Sequence, residues 1–156
     1  MNAHITGVAH VKLPVSDLAR SVAWYRALLD MELALEFVER GTLRGAALVH
    51  RASGVRIALR DRTVCAGQPV LTGFDAFALQ VPTAQALHDL AARCERLGLP
   101  HEHQDRGRYG AALDVPDPDG TIVRFIYDAE EPPPFLGLEF DGSGLIGTYN
   151  HPRLSR

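Results

Sequence analysis

The chain has 156 residues, 46% of them hydrophobic, and a formal net charge of -3. This length allows one substantial core but not two large independent domains. A chain with net negative charge has no broad positive field for a phosphate backbone, so we expect no nucleic acid partner. It shows neither a signal-peptide pattern nor a run of about eighteen apolar residues, which predicts a cytoplasmic protein that does not bind membranes. Its two cysteines, Cys65 and Cys94, form no metal-binding or disulfide pattern and are expected to be reduced thiols.

The first half of the chain predicts one strand, one helix and three further strands. Residues 7–15 read as a strand, and Ser16-Asp17 is typical of a helix N-terminus. The helix that follows has apolar residues at helical spacing: Leu18, Val22, Tyr25, Leu28 and Leu29. Three strands are then predicted, with turns between them at Arg40-Gly41 and Ser53-Gly54, over residues 33–38, 43–49 and 55–59.

The second half repeats this order of elements. A strand is predicted over residues 74–81, then a helix capped by Thr83 and ended by Gly98, then strands over residues 101–104, 109–115 and 121–127. Two landmarks put the halves in register, because Val15 and Val81 are 66 residues apart and so are Gly54 and Gly120. Strand ends, helix caps and glycines at one offset indicate an internal duplication.

Two segments resemble the opening and the end of a vicinal oxygen chelate module, the module of the glyoxalase, bleomycin-resistance and extradiol dioxygenase group: AHVKLPVSDLARSVAWYRALLDMEL and VPDPDGTIVRFIY. The resemblance covers about residues 6–128. It implies an α+β fold in which two βαβββ modules, at about residues 6–66 and 73–128, form a curved, cup-shaped mixed sheet. The helices are then outside, and a ligand lies inside the cup.

The rest of the chain is predicted to be an addition to this domain, which we place at residues 1–131. A proline-rich linker and a C-terminal hairpin are predicted over residues 132–156, because prolines precede two apolar runs separated by Asp141-Gly142-Ser143-Gly144. The tail is expected to cover the cup or to join a dimer.

The resemblance also implies four positions for metal ligands, on the first and last strand of each module. In metal-dependent members these carry His or Glu, but here they fall on His10, Ala58, Ala76 and Arg124. Only His10 is a suitable ligand, and an arginine would repel a cation. We therefore expect no metal or other cofactor, although ligands displaced by one or two residues would leave a divalent metal as the alternative. His101-Glu102-His103 has a spacing that can bind zinc, but a solvated polar strand is the favoured interpretation.

Strand alternation predicts which side chains line the cup. If His10 faces the cup, so does Lys12, and the same rule adds Arg56 beside Ala58, Gln80 beside Ala76, and Arg124. Residues of the opposite parity are predicted to pack beneath the helices: Val11, Leu13, Ile57, Leu59, Phe77, Leu79, Val123 and Phe125. Arginines next to small alanines favour a ligand with an anionic group.

Several of these residues have a second interpretation. Arg124 is alternatively a bridge to a neighbouring carboxylate, and Arg60 a rim residue paired with Asp61. His10 is either a pocket residue, a general base or a structural remnant. Tyr109, between Gly107 and Gly110, is predicted to close over a ligand.

These observations favour a small-molecule-binding protein of the bleomycin-resistance type, holding an anionic or aromatic ligand and forming a homodimer. The alternative is a glyoxalase-like lyase, an isomerase or a dioxygenase, either metal-free with His10 as base or metal-dependent through other ligands. A third interpretation is a regulatory or scaffolding subunit that uses the tail. The sequence leaves open whether the modules pair within one chain or across a dimer.

Overall fold

The structure is a computed structural model that describes residues 3–129 and 134–154. The first module contains β1 (Val11–Val15), α1 (Leu18–Leu29), β2 (Glu32–Glu39), β3 (Thr42–Val49) and β4 (Arg56–Asp61). The second contains β5 (Phe77–Gln80), α2 (Ala84–Leu97), β6 (Glu102–Asp105), β7 (Gly110–Pro116) and β8 (Ile122–Asp128). Single 3-10 turns follow β4 at Arg62–Val64 and precede β7 at Gly107–Tyr109.

Both helices begin at the predicted caps. The Asp17 carboxylate accepts a hydrogen bond from the Arg20 backbone N–H at 3.0 Å, and the Thr83 hydroxyl accepts one from the Ala86 N–H at 3.1 Å. Each cap satisfies a backbone donor that the first helical turn leaves unpaired. α2 ends at Gly98, whose left-handed φ of 68° favours glycine. Within the described residues, neither helix has the length and apolar content needed to span a bilayer.

The strands form two mixed four-stranded sheets with the same topology. Sheet 1 has the order β1-β4-β3-β2 and sheet 2 the order β5-β8-β7-β6. In each, the first and last strands of the module pair in parallel, with Val11 opposite Ile57 and Phe77 opposite Val123. These two pairs differ by the same 66 residues in both members, so the register confirms the predicted duplication. The predicted α+β fold with two βαβββ modules is also confirmed.

One core lies between the two sheets and contains both helices. It combines α1, α2 and one face of each sheet, through residues that include Tyr25, Leu28, Leu87, Cys94, Leu48 and Leu113. Five of the predicted core residues are buried, namely Leu13, Ile57, Leu59, Val123 and Phe125, and the other three, Val11, Phe77 and Leu79, are partly buried against the cluster. We call the opposite side of each sheet, away from its helix, the open face. Because the helix-side faces share one core, the two open faces point away from each other within the chain.

Direct contacts hold the modules together at two junctions. At the first, the Tyr25 hydroxyl donates a hydrogen bond to Asp117 at 2.8 Å, and the Ser16 N–H donates to the Asp119 carboxylate. At the second, α1 contacts α2, and the Arg93 guanidinium donates to the Ala27 carbonyl and the Asp30 carboxylate.

The first strand of each module is shorter than predicted. β1 begins at Val11 rather than residue 7, and β5 begins at Phe77 rather than residue 74. The parallel partners β4 and β8 begin only at Arg56 and Ile122, so earlier residues have no strand to pair with. His10 and Ala76 therefore precede the strands to which the sequence analysis assigned them.

The C-terminal tail forms an antiparallel hairpin of β9 (Gly137–Asp141) and β10 (Gly144–Tyr149). The predicted proline-rich linker falls largely on residues 130–133, outside the described part of the chain. Several large apolar side chains of the hairpin are exposed: Leu136, Leu138, Phe140, Leu145 and Ile146.

Candidate ligand-binding site

The open face of sheet 1 carries a continuous row of side chains across all four strands. Lys12 lies opposite Ala58, Ala58 opposite Ala47, and Ala47 opposite Leu35. Directly opposed residues of neighbouring strands project to the same side of a sheet. The row therefore joins basic, small and apolar side chains on one surface.

A pocket of about 200 Å³ lies on this face. Its floor is formed by the small residues Ala47 and Ala58, and Leu35 and Phe37 on β2 form an apolar wall. On the opposite side lie His10, Lys12 and Arg56, which we call the basic wall, and it is mainly their carbon atoms that line the pocket. The full lining is His10, Lys12, Leu35, Phe37, Ala47, Arg56, Ile57 and Ala58. The sequence-predicted residues His10, Arg56 and Ala58 thus meet at one place.

Gly45 leaves room for Phe37, the aromatic residue of the apolar wall. A Cβ atom at this position would lie 3.2 Å from Cδ2 of Phe37 and 3.0 Å from the Leu59 carbonyl oxygen. Since Gly45 has no side chain, the Phe37 ring lies directly over the backbone of β3. Phe37 remains 41% exposed there, available to an aromatic partner.

The basic wall carries two cations, Lys12 and Arg56. Neither side chain forms an ion pair with a carboxylate within the described residues. Arg60, two positions beyond Ala58 on the same face of β4, is instead bound by Glu39 at 2.5 Å. The expected Arg60–Asp61 pair is wrong, because Arg44 on β3 binds Asp61 at 2.6 Å.

The open face of sheet 2 differs in its electrostatics. Arg124 lies opposite Ala78 and Asp114, donates two hydrogen bonds to the Asp114 carboxylate at 2.7 and 2.8 Å, and contacts Asp75 at 2.6 Å. The hydrogen bonds to Asp114 raise the pKa of the guanidinium further above its usual value. Two carboxylates therefore compensate Arg124, which is the bridging alternative rather than a cation available to an anionic ligand.

The other predicted site residues lie elsewhere. Ala76 is exposed before β5, beside Asp75, and Gln80 lines a cleft between the modules. Tyr109 contacts Phe135 of the tail, with ring centroids 5.4 Å apart, and its hydroxyl accepts a hydrogen bond from Arg108. The structure thus does not bring these residues to the pocket of His10 within one chain.

The apolar wall of the pocket was not predicted from the sequence. Cup positions were predicted only on the first and last strands of each module, where the family resemblance implied metal ligands. Leu35 and Phe37 lie on the edge strand β2, and Ala47 lies on its neighbour β3, which are the second and third strands of the module in chain order. The alternation of residues 33–38 was the signal, but bulges in the β2–β3 pairing, between Leu33 and Leu35 and after Phe37, interrupt the simple parity rule.

The residues at the implied metal positions do not fit a metal ion. One imidazole, two methyl groups and a compensated guanidinium offer a single donor. Over residues 3–129 and 134–154, no three side chains of His, Cys, Asp or Glu are arranged to hold a metal. The rings of His101 and His103 are 6.5 Å apart between centroids, and the His101 ring instead hydrogen-bonds the Leu99 carbonyl.

Comparison with solved structures shows the same fold. A glyoxylase/bleomycin resistance protein/dioxygenase domain from Frankia sp. EAN1pec is 23% identical, with a TM-score of 0.64 over 80% of this chain and 99% of that one. TnmS3, an antibiotic binding protein from Streptomyces sp. CB03234, is 16% identical, with a TM-score of 0.66 over 81% of this chain and 99% of that one. The fosfomycin resistance protein FosX from Listeria monocytogenes, in complex with Mn(II) and sulfate, is 15% identical, with a TM-score of 0.61 over 80% and 92%.

No curated protein matches the chain significantly. The family profile that matches covers residues 7–125, from the residues before β1 into β8, and so includes both modules. The chain therefore belongs to the Glyoxalase/Bleomycin resistance protein/Dioxygenase superfamily.

Proposed function

We propose that the protein is a metal-independent binding protein of the bleomycin-resistance type, whose ligand is a small amphipathic anion. The observation that carries this proposal is the sheet 1 pocket, where an apolar wall faces two cations that form no ion pair within the described residues. A ligand with an aromatic body and one anionic group matches both walls.

Each part of the pocket has a role in this proposal. The anionic group pairs with Lys12 and Arg56, and the guanidinium provides a planar, two-point contact for a carboxylate. The body of the ligand packs on Leu35 and Phe37, and the alanine floor leaves room for it. His10 donates or accepts a hydrogen bond at the rim, and the proposal requires no proton transfer from it.

A homodimer is part of the same proposal. Leu35 is 55% exposed, and exposed apolar patches of this kind are typical of contact surfaces. The open face of sheet 1 is basic, whereas Asp75 and Asp114 make that of sheet 2 carboxylate-rich. We therefore propose that sheet 1 of one subunit covers sheet 2 of its partner, so that two modules from different chains form each cup.

Only one of the four implied ligand positions carries a metal donor, which supports metal independence, and TnmS3 shows that this fold serves an antibiotic binding protein. FosX is a relative by fold described with Mn(II), so the fold alone does not decide between the two classes. The donor set of this chain favours binding without a metal.

Isothermal titration calorimetry with cinnamate and its neutral analogue cinnamide tests the proposal. Cinnamate should bind about tenfold more tightly, because its carboxylate adds ~1.4 kcal/mol through a charge-assisted contact. The double variant Lys12→Gln/Arg56→Gln should abolish this difference, and Phe37→Ala should weaken both compounds. Arg20→Gln/Arg26→Gln, at two exposed positions of α1, is the charge-matched control. Equal affinity of the two compounds for the unmodified protein would refute the proposed anion site.

A further inference from the structure

The two junctions between the modules have different side chains at positions that the internal duplication makes equivalent. Tyr25 on α1 and Ala91 on α2 are 66 residues apart and thus occupy equivalent helical positions. Tyr25 is fully buried and bonded to Asp117, so it seals the first junction. Its counterpart Ala91 has only a methyl side chain, and the side-chain contacts that join the modules at the second junction are those of Arg93.

A cleft of about 250 Å³ opens at this second junction. Most of its lining is apolar and comes from both modules: Leu28, Leu29, Met31, Val55, Leu79, Val81, Leu90 and Phe125. Apolar cavities of about 150 Å³ bind molecules as small as benzene, so this volume is sufficient for a monocyclic aromatic compound. The cleft shares no lining residue with the sheet 1 pocket.

Polar groups at the rim restrict the chemistry of the ligand. Asp30 and Arg93 neutralise each other by two hydrogen bonds, which leaves no net charge for an ionic ligand. Nδ1 of His50 accepts a hydrogen bond from the Ser53 backbone N–H at 3.3 Å and lies 2.7 Å from the Ser53 hydroxyl, so Ser53 occupies this nitrogen and Nε2–H is the ring donor left for a ligand. Within the described residues this Nε2–H has no partner, and it is a donor for a ligand acceptor.

We infer that this cleft is a second ligand site, which binds a small uncharged aromatic or aliphatic molecule bearing one carbonyl or ether oxygen. The apolar lining holds the body of the molecule, and His50 binds its oxygen. The inference goes beyond the proposed anion-binding function and does not depend on it.

The two methionines of the chain allow ligand binding to be followed directly by NMR. Met1 and Met31 are the only methionines, and Met31 is a buried lining residue of the cleft. NMR of isotope-labelled methionine methyl groups during titration with acetophenone should show a saturable shift of the Met31 signal. Acetophenone has nine non-hydrogen atoms, and for a ligand of this size we expect a dissociation constant of about 1 mM. Ethylbenzene, which lacks the oxygen, should bind several-fold more weakly, and His50→Leu should remove that difference.

Two reciprocal substitutions test the location. Leu90 lines the cleft, and Trp24 is its counterpart 66 residues earlier at the sealed junction. Leu90→Trp should fill the cleft and abolish the Met31 titration, whereas Trp24→Leu should preserve it. Val55→Phe provides a second filling variant if Leu90→Trp fails to fold. Failure of Met31 to titrate in the unmodified protein, or an unchanged titration in a folded filling variant, would overturn the inference.

Lys12→Gln/Arg56→Gln should leave the acetophenone titration intact, which separates this site from the anion site.

Discussion

The Tyr25–Asp117 contact shows how one buried pair couples the two modules. Asp117 is 6% exposed, and its carboxylate accepts hydrogen bonds from Tyr25, from the Asp119 N–H and from the Thr121 N–H. Burial raises the pKa of Asp117, although these hydrogen bonds oppose the shift. Burial, together with the nearby Asp117 charge, also raises the pKa of Tyr25 far above its usual value. The Tyr25 hydroxyl therefore keeps its proton, and remains a hydrogen-bond donor, well into the alkaline range.

Replacing Asp117 with Asn should change the pH dependence of stability. A raised pKa means that the native state holds the proton more tightly than the unfolded chain. The Asp117 contribution to the free energy of unfolding therefore falls as the pH rises from the ordinary value of 3.8 through the raised pKa. Asp117→Asn lacks this titration. As the pH rises across that window, the free energy of unfolding of the variant should therefore increase relative to that of the unmodified protein. Urea unfolding at a series of pH values measures it, and a constant difference would contradict the assignment.

Removing the Tyr25 hydroxyl should weaken the junction. Tyr25→Phe leaves the ring in place but takes one donor from a buried carboxylate, which should lower the free energy of unfolding by about 2 kcal/mol. Tyr127→Phe is the matched control, since the Tyr127 hydroxyl forms no side-chain hydrogen bond within the described residues. Urea denaturation should show a clear loss for the first variant and little change for the second.

Ser21 has a buried hydroxyl that finds no partner in the described residues. Because an unsatisfied buried polar group destabilises the folded state and alanine favours helix, Ser21→Ala should raise the free energy of unfolding by about 1 kcal/mol. Thermal unfolding followed by circular dichroism measures the change. A loss of stability would mean that the hydroxyl has a bonding role that the structure does not show.

At the scale of elements, the start of β7 depends on a glycine. Gly110 has φ 127°, and a Cβ atom there would lie 1.9 Å from the Tyr127 carbonyl oxygen on β8. Gly110→Ala should therefore displace the β7–β8 pairing and cost about 3 kcal/mol or more. Gly142→Ala, in the tail hairpin with no atom within 4 Å of the added Cβ, is the control. Equal unfolding midpoints for the two variants would argue against this packing.

Strand ends are the least predictable feature at this scale. Local sequence patterns predicted both helix caps and the order of all elements. The starts of β1 and β5 depend instead on where β4 and β8 begin, because a strand extends only as far as its partner.

At the scale of the whole molecule, the open faces predict association. Leu35→Glu places a charge in the apolar part of the proposed sheet 1 interface and should convert a dimer into a folded monomer. Leu97→Glu, at an exposed position at the end of α2, is the control and should remain dimeric. Sedimentation equilibrium distinguishes the two masses. If the unmodified protein is already monomeric at micromolar concentration, the proposed cup across subunits is wrong.

The sequence by itself determined the duplication, the βαβββ order, the buried parity of the strands and the family. These features depend on caps, turns and alternation within a few residues of one another, repeated at a constant offset. Only the tertiary structure decided that Asp114 and Asp75 pair with Arg124, that Tyr109 lies against the tail, and that a cleft opens at one junction between the modules whereas Tyr25 closes the other. Each of these depends on the register between strands or the packing between modules, which juxtaposes residues far apart in the chain.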